Sequence, residues 1–451
     1  MRLFVSILVL AALALAAGGC GAPNAYVGRV SAEGRARQGA LLYTYKLDNG
    51  VTLLVRKSSV SGPTAVQVWV GGGSASDPPG KAGISHFTEH MLFTGSQHLP
   101  HTRVEQYIEG MGGTLTGHTG RDFSYIGATL PGNGWERAVD ILYDLSTYPL
   151  FLTEELEKER RTVLLEMSQR GRDMDSLVMD NFFSESYRVH PYGRPVMGTA
   201  ADVASYTRED VVRCFTAEFI ASNMVVVVAG DVDPAAVRAV VARSFGSLLP
   251  VKPASVPVPK DKDRLLKRTK TVAAPVNMTY MALGWRVCKA SDPDLYPLDV
   301  LRAVLGQGKG SRLPLELRDR SGMAFDVEAE LFPLKDPGVF VVTAHLRGGD
   351  MRRVTTEVMR QINSLKDEPV KKDELERAIN GIDASHMLET ETAEGQAYAL
   401  GYWATVYGKK DPAKYMDEIR KVTPDDITRV AQKYLGEGNY VLSVIEPEGR
   451  Q

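Results

Sequence analysis

Cysteine is nearly missing from this chain, with three residues in 451. A fold stapled by disulfides is thereby excluded, because such frameworks need several pairs at close spacing. Cys20 belongs to the N-terminal segment, which leaves Cys214 and Cys288. Neither stands in a metal-ligand spacing, and both read as buried thiols, with a bridge between them as the alternative. An excess of charge of one sign is missing too: 53 Lys and Arg face 55 Asp and Glu, a formal net charge of -2. That balance argues against a nucleic-acid partner and against a strongly electrostatic membrane surface. The apolar run Leu3 to Ala17, behind Arg2, is too short for a comfortable membrane span and has the length of a signal-peptide core. Histidine is sparse, at eight residues, so a place where two of them share one turn stands out.

That place is Gly83-Ile84-Ser85-His86-Phe87-Thr88-Glu89-His90-Met91-Leu92-Phe93. Residues three and four apart on a helix share a face, so His86 and His90 can hold one metal while Glu89 points into the same space. Neutral imidazoles suit Zn2+, and a carboxylate beside the ion can take a proton from water. The order His-x-x-Glu-His inverts the commoner His-Glu-x-x-His and is the inverzincin signature. Ile84, Phe87 and Met91 fall at helical spacing and are expected to bury the opposite face.

A hydrolytic zinc site takes three protein ligands and keeps one position open. The best candidate for the third is Glu166, in Thr162-Val163-Leu164-Leu165-Glu166-Met167. An ionised carboxylate among apolar helical positions is costly unless a cation pairs with it. Glu159, two helical turns earlier on the same face, can orient a ligand from behind. Glu154, Glu155 and Glu157 read instead as ordinary exposed acids.

The chain is too long for one ordinary core and suggests two or more domains. Ala17-Gly18-Gly19-Cys20 resembles the lipidation box of bacterial lipoproteins, so residues 1–20 are expected to be a lipoprotein signal peptide. Gly21, rather than Asp, after the Cys favours the outer membrane, facing the periplasm. Residues 21–40 read as a tether, 41–249 as a first domain, 250–270 as a Pro/Lys-rich linker and 271–451 as a second domain. Asp48-Asn49-Gly50 predicts a hairpin with a type I′ turn. Strands are expected over 64–70, over 112–130 around a Gly117–Asp122 turn, and over 223–229; helices are expected over 132–147 and 153–170. Asp233 and Pro234 mark a helix start. Beyond the linker come strands at 278–287, 324–346 and 440–445, and helices at 295–305, 351–390 and 410–435. Ser76-Asp77-Pro78 recurs as Ser291-Asp292-Pro293. The same offset sets Leu301, Val304 and Leu305 where His86, Glu89 and His90 stand, so the second copy is expected to lack metal.

A Glu 76 residues after the second His, within Glu-Arg-Arg-Thr-Val-Leu-Leu-Glu-Met, completes a resemblance. The chain resembles the pitrilysin/insulinase-type zinc peptidases, most closely their short members similar to mitochondrial processing peptidase. Leu47-Asp48-Asn49-Gly50, His190-Pro191-Tyr192-Gly193, Gly230-Asp231-Val232-Asp233-Pro234, Gly310-Ser311-Arg312-Leu313 and Leu317-Arg318 extend it over nearly all of the chain after the leader. The resemblance implies an α+β fold: two homologous domains, each a mainly antiparallel sheet covered by helices, closing as a clamshell. It implies one Zn2+ per chain on His86, His90 and Glu166, with Glu89 as the base and Glu159 as the second glutamate of the site. It also places a substrate-binding strand at Thr116-Gly117-His118-Thr119, where the family usually has Asn-Ala before the Thr. Arg318 stands at the family's carbonyl-holding Arg, but the Tyr expected seven residues on is Phe325, which has no hydroxyl to donate.

The activity expected is a zinc endopeptidase acting on peptides or unfolded polypeptide segments. The alternatives are a metal-bearing subunit that needs a partner with the Arg/Tyr pair, and a noncatalytic peptide-binding subunit. A homo- or heterodimer with a related subunit is expected by analogy, anchored in the cell envelope through Cys20.

Overall fold

The structure, a computed structural model, describes residues 33–37, 40–99, 104–253, 257–261, 266–346, 351–408 and 412–448. The leader at 1–20 and most of the tether at 21–40 lie outside these residues. No helix among the described residues is long and apolar enough to cross a membrane.

The first half is built on a seven-stranded sheet. Its strands are β1 (Glu33–Arg37), β2 (Ala40–Lys46), β3 (Thr52–Ser58), β4 (Pro63–Gly71), β5 (Thr114–Thr119), β6 (Phe123–Pro131) and β7 (Met224–Gly230). They run in the order β1-β2-β3-β7-β4-β6-β5, and only the β3–β7 pair is parallel. The sheet thus begins inside the stretch expected to be a tether. The helices are α1 (Ile84–Leu92), α2 (Val104–Gly110), α3 (Trp135–Leu145), α4 (Thr153–Arg170), α5 (Met174–Ser186), α6 (Ala200–Ala204), α7 (Arg208–Glu218) and α8 (Pro234–Ser244). As expected, Asp233 caps α8, accepting from the backbone N–H of Ala235 and Ala236.

The second half repeats the plan with β8 (Arg268–Ala274), β9 (Thr279–Arg286), β10 (Ala324–Phe332), β11 (Val339–Leu346) and β12 (Val441–Pro447). Its order, β10-β11-β9-β12-β8, matches β5-β6-β4-β7-β3 strand for strand. Its one parallel pair, β8–β12, falls where β3–β7 falls. Around it lie α9 (Leu295–Gly306), α10 (Met351–Asp367), α11 (Lys372–Glu389), α12 (Ala393–Tyr402), α13 (Tyr415–Ile419) and α14 (Pro424–Tyr434). The faint sequence repeat is therefore a structural one: α9 follows β9 as α1 follows β4. Its Leu301, Val304 and Leu305 are fully buried in core packing.

The halves exchange helices. From the first half, α5 packs on β9 and β12, while α12 of the second half packs on β4 and β7. Both crossings depend on a missing side chain. A Cβ on Gly284 would stand 2.7 Å from Phe182 Cζ, and one on Gly401 would stand 2.1 Å from Trp69 Cε2. One apolar cluster consequently runs from Trp69, Phe123 and Tyr125 into the second sheet and its helices.

Three details differ from the sequence expectations. The β2–β3 turn is not type I′, which needs positive φ at both central residues; Asn49 has negative φ and Gly50 has φ 101°. Gly50 N–H bonds to Leu47 O and Leu47 N–H to Val51 O, the longer hairpin loop that ends on a left-handed glycine. The turn between β5 and β6 is Gly120–Asp122, so Gly117 to Thr119 belong to β5. Finally, β8 begins at Arg268, within the stretch expected to be linker, and α2, α5, α6, α7 and α12 were not foreseen.

Candidate metal centre

Helix α1 starts at a position only glycine can fill. Gly83 has φ 89°, and a Cβ there would lie 2.3 Å from Met197 O. The open N–H groups of the first turn are met by Asp77, whose carboxylate accepts from Gly83 N (2.6 Å), Ser85 N (3.1 Å) and Ser85 Oγ (2.6 Å). Burial pushes the Asp77 carboxyl up to about 6 against these hydrogen bonds. Ile84, Phe87 and Met91 are buried on the sheet side as expected, which leaves His86, Glu89 and His90 on the face toward α4 and β5.

Helix α4 brings the third group. Glu166 Oε2 lies 3.4 Å from His90 Nε2 and 3.8 Å from His86 Nε2. One ligand atom from each of the three residues falls within 4.8 Å of the others. That oxygen is buried and, among the described residues, accepts no hydrogen bond, an arrangement that is costly unless a cation completes it. Burial, and then the neighbouring His90, push His86 down to about 3, which leaves it neutral with a lone pair to donate. At His90 burial works in the same direction, but the hydrogen bond to Glu159 and the nearby Glu166 carboxylate outweigh it and raise the group to about 10. The same carboxylates, set about the histidine pair, also favour a metal cation there. The donor set fits zinc: two imidazoles, one carboxylate, and Glu159 Oε2 at 3.2 Å from His90 Nδ1, which fixes the tautomer that frees Nε2.

Glu89 is buried on the other side of the pair. Burial raises it to about 7, opposed by His90 and by the Thr119 hydroxyl. Thr119 Oγ1 donates to Glu89 Oε2 at 2.6 Å and lies 3.1 Å from Ser124 Oγ. β5 passes the carboxylate with nothing between, since a Cβ on Gly117 would stand 2.5 Å from Glu89 Oε1. Thr119, expected to contact substrate, is buried, and its hydroxyl is spent on Glu89. Replacing it by Val should leave zinc bound and lower kcat/KM on the order of tenfold, the scale of one hydrogen bond to a charged group. Because that bond stabilises the carboxylate, its loss raises the pKa of Glu89. The acid limb of the pH–rate profile should move to higher pH, which stopped assays between pH 5 and 9 would show.

The other expected substrate residues are placed differently. Thr116 is half-buried on the opposite face of β5, its Oγ1 3.0 Å from where a Cβ on Gly127 would be. β5 is an edge strand of the first sheet, and β10, its counterpart, is an edge strand of the second. Phe325 lies on β10 at a register irregularity between Ala324 and Asp326 and is 48% exposed. The guanidinium of Arg318 is held by Asp319, with Nε to Oδ1 at 2.8 Å. Its described contacts do not reach the His86–Glu89–His90 group.

Two carboxylates behind the site were missed. Asp77 had been noticed only as part of a repeated Ser-Asp-Pro, where the Asp preceding a helix was the available signal. Glu218, on the unforeseen α7, is buried against the hydroxyls of Ser76 and Ser85. Burial, with Asp77 nearby, raises it to about 8. Cys214 Sγ lies 3.7 Å from Ser85 Oγ, and both Cys214 and Cys288 are free thiols, not a bridge.

The comparisons with known proteins agree with this geometry. A family model described as Insulinase (Peptidase family M16) matches residues 53–200, and one described as Peptidase M16 inactive domain matches residues 205–382. The chain is 25% identical over 390 residues to an uncharacterized zinc protease of Rickettsia bellii, covering 86% of this chain and 93% of that one. It is 24% identical over 411 residues to an uncharacterized zinc protease of Bacillus subtilis, covering 91% and 99%. A crystal structure of a protease from Helicobacter pylori shares the fold with a TM-score of 0.84 at 22% identity, over 90% of this chain and 99% of that one. A Pseudomonas fluorescens structure described as a peptidase M16 inactive domain superposes with a TM-score of 0.81 at 19% identity, over 91% and 99%. With both family models matched in order and two homologous halves in the fold, the chain belongs to the insulinase family of peptidases, family M16.

Proposed function

We propose that the chain is a zinc endopeptidase acting on extended or unfolded peptide segments, with Glu89 as general base. The observation that carries this is the buried, unpartnered Oε2 of Glu166 facing the Nε2 atoms of two histidines, with the carboxyl of Glu89 raised to about 7 beside them. Zinc held by His86, His90 and Glu166 would supply a Lewis acid and a water that ionises near pH 7. Glu89, poised near neutrality, accepts a proton from the attacking water and delivers it to the leaving amine. Thr119 holds the carboxylate in place. The outer edge of β5 offers unpaired backbone groups along which an extended segment can add as a strand, and Gly117 keeps the approach to Glu89 clear.

Removing metal with a chelator should abolish hydrolysis of a quenched extended peptide, and one equivalent of zinc per chain should restore it. Hydrolysis that survives chelation at undetectable zinc would refute the reading. Phe325, which carries no donor where a hydroxyl is expected, favours a second reading in which a related subunit supplies that donor. Under it the zinc-loaded chain is silent alone and active once mixed with that subunit.

A further inference from the structure

The half without a metal motif enters the first half through a polar junction that ends at β5. Asp122 closes the β5–β6 turn and is buried. Its Oδ1 accepts from the Tyr192 hydroxyl at 2.6 Å, and its Oδ2 accepts from the backbone N–H of Lys335 at 2.8 Å. Lys335 lies in the loop between β10 and β11, and its Nζ donates to the carbonyl oxygen of Asp122 at 3.1 Å. The Tyr192 hydroxyl in turn accepts from the backbone N–H of Asp336 at 3.1 Å. The Asp336 carboxylate takes His190 Nε2 at 3.2 Å and Lys289 Nζ at 3.0 Å. Since His190 Nδ1 accepts from Tyr192 N–H at 3.2 Å, its proton sits on Nε2 and faces Asp336.

Tyr192 is therefore a pin with two ends, donating to a first-half carboxylate and accepting from a second-half amide. What it pins leads to the base. Gly72 N–H donates to Asp122 O at 2.9 Å, Ser74 N–H to Gly120 O at 3.0 Å and Ala75 N–H to Arg121 O at 2.8 Å, so the turn is clipped to the glycine loop that precedes Asp77 and α1. Gly120 N–H closes on Phe123 O at 2.8 Å. The β5–β6 ladder then pairs Thr119 with Ser124, and Thr119 meets Glu89.

We propose that Tyr192, acting through Asp122, is a positioning residue for Glu89, by which the second half sets the place of β5 against the base. The proposal rests on the reading of Glu89 as general base and gives the metal-free half a role in the chemistry. Without the hydroxyl, a buried carboxylate loses a donor and a buried amide loses its acceptor, and both are relieved only if the turn moves.

Tyr192→Phe keeps the ring in its buried seat and removes only the hydroxyl. The variant should bind zinc as the wild type does, keep KM within about twofold and lose kcat on the order of tenfold, as displacement of a catalytic group does. Amide hydrogen exchange over Thr114–Ser124 should quicken. Unchanged kcat per bound zinc together with unchanged exchange over β5 would overturn the proposal, even if the melting temperature fell. Loss of zinc in the variant would overturn it too, because the junction would then serve the metal helix rather than the base. Should Tyr192→Phe fail to fold, Asp122→Asn is read by the same measurements. Exchange needs no turnover: loosening of β5 in a chain that cleaves no peptide, alone or with the related subunit, refutes the peptidase reading and retains the junction, whereas cleavage at the wild-type kcat with β5 unmoved refutes the junction.

Discussion

Glu166→Ala is expected to yield a folded chain without stoichiometric zinc when purified with no added metal. Its Oε2 is the oxygen that faces both Nε2 atoms, at 3.4 Å and 3.8 Å, and among the described residues it accepts no hydrogen bond. Without it, two imidazoles remain as ligands, and a hydrolytic zinc site takes three. Glu159→Gln is the milder change. It spares every ligand atom and weakens the bond that holds His90 in its metal-binding tautomer, so zinc affinity should fall by the 10–100-fold typical of outer-shell partners. Glu166→Ala should cost more than that. Competition against a chromophoric chelator ranks the two, and equal affinities would mean that Glu166 is not a ligand. The folded fraction should survive, because the Glu166 side chain is only half-buried and its removal takes an uncompensated buried carboxylate out of the site.

Glu89→Gln should produce the opposite pattern: zinc retained, hydrolysis lost. The amide is nearly isosteric and its oxygen can still accept from Thr119, so the local geometry keeps its shape. It cannot take a proton. General base catalysis contributes about 10²–10⁴-fold, and the kcat of the variant should fall by at least that much. The environment is consistent with such a role. Burial raises the Glu89 carboxyl to about 7 while His90 and Thr119 restrain it, so about half of it is ionised at neutral pH, and the ionised form is basic enough to accept a proton.

Much of this site could be read from the sequence because helix geometry does the reading. Spacings of three and four on α1 fix a shared face whatever the rest of the chain does, and Glu159 and Glu166 share a face of α4 for the same reason. The duplication was legible because Ser76-Asp77-Pro78 recurs as Ser291-Asp292-Pro293, and the structure buries Leu301, Val304 and Leu305, which that offset sets at the metal positions, in core packing. Reading failed where tertiary contacts decide. Thr119 was read as a substrate contact because a strand residue does not declare its face without the register of its partner, and only the pairing of β5 with β6 turns it to Glu89. α5 was invisible because its buried face is completed by the other half's sheet, not by its own. Glu218 was missed with α7, since nothing local marks a carboxylate whose partners, Ser76 and Ser85, lie more than a hundred residues away.

The exchange of α5 and α12 also bears on how the two halves work together. Each crossing is sealed by a glycine under a large ring, Gly284 beneath Phe182 and Gly401 beneath Trp69. The interior so formed is continuous from sheet to sheet. A second half joined this closely can act on the first through packing and through the Tyr192–Asp122 junction, with no metal of its own.

Zinc-matched hydrolysis decides whether one zinc, three ligands and Glu89 make a peptidase. Wild-type chain and Glu89→Gln, each loaded to one zinc per chain and mixed with the related subunit where one is required, are given the same quenched extended peptide. Cleavage by the wild type is expected, with a loss of at least about 10²-fold in the variant at equal zinc content. Equal rates from the two would remove Glu89 from the chemistry.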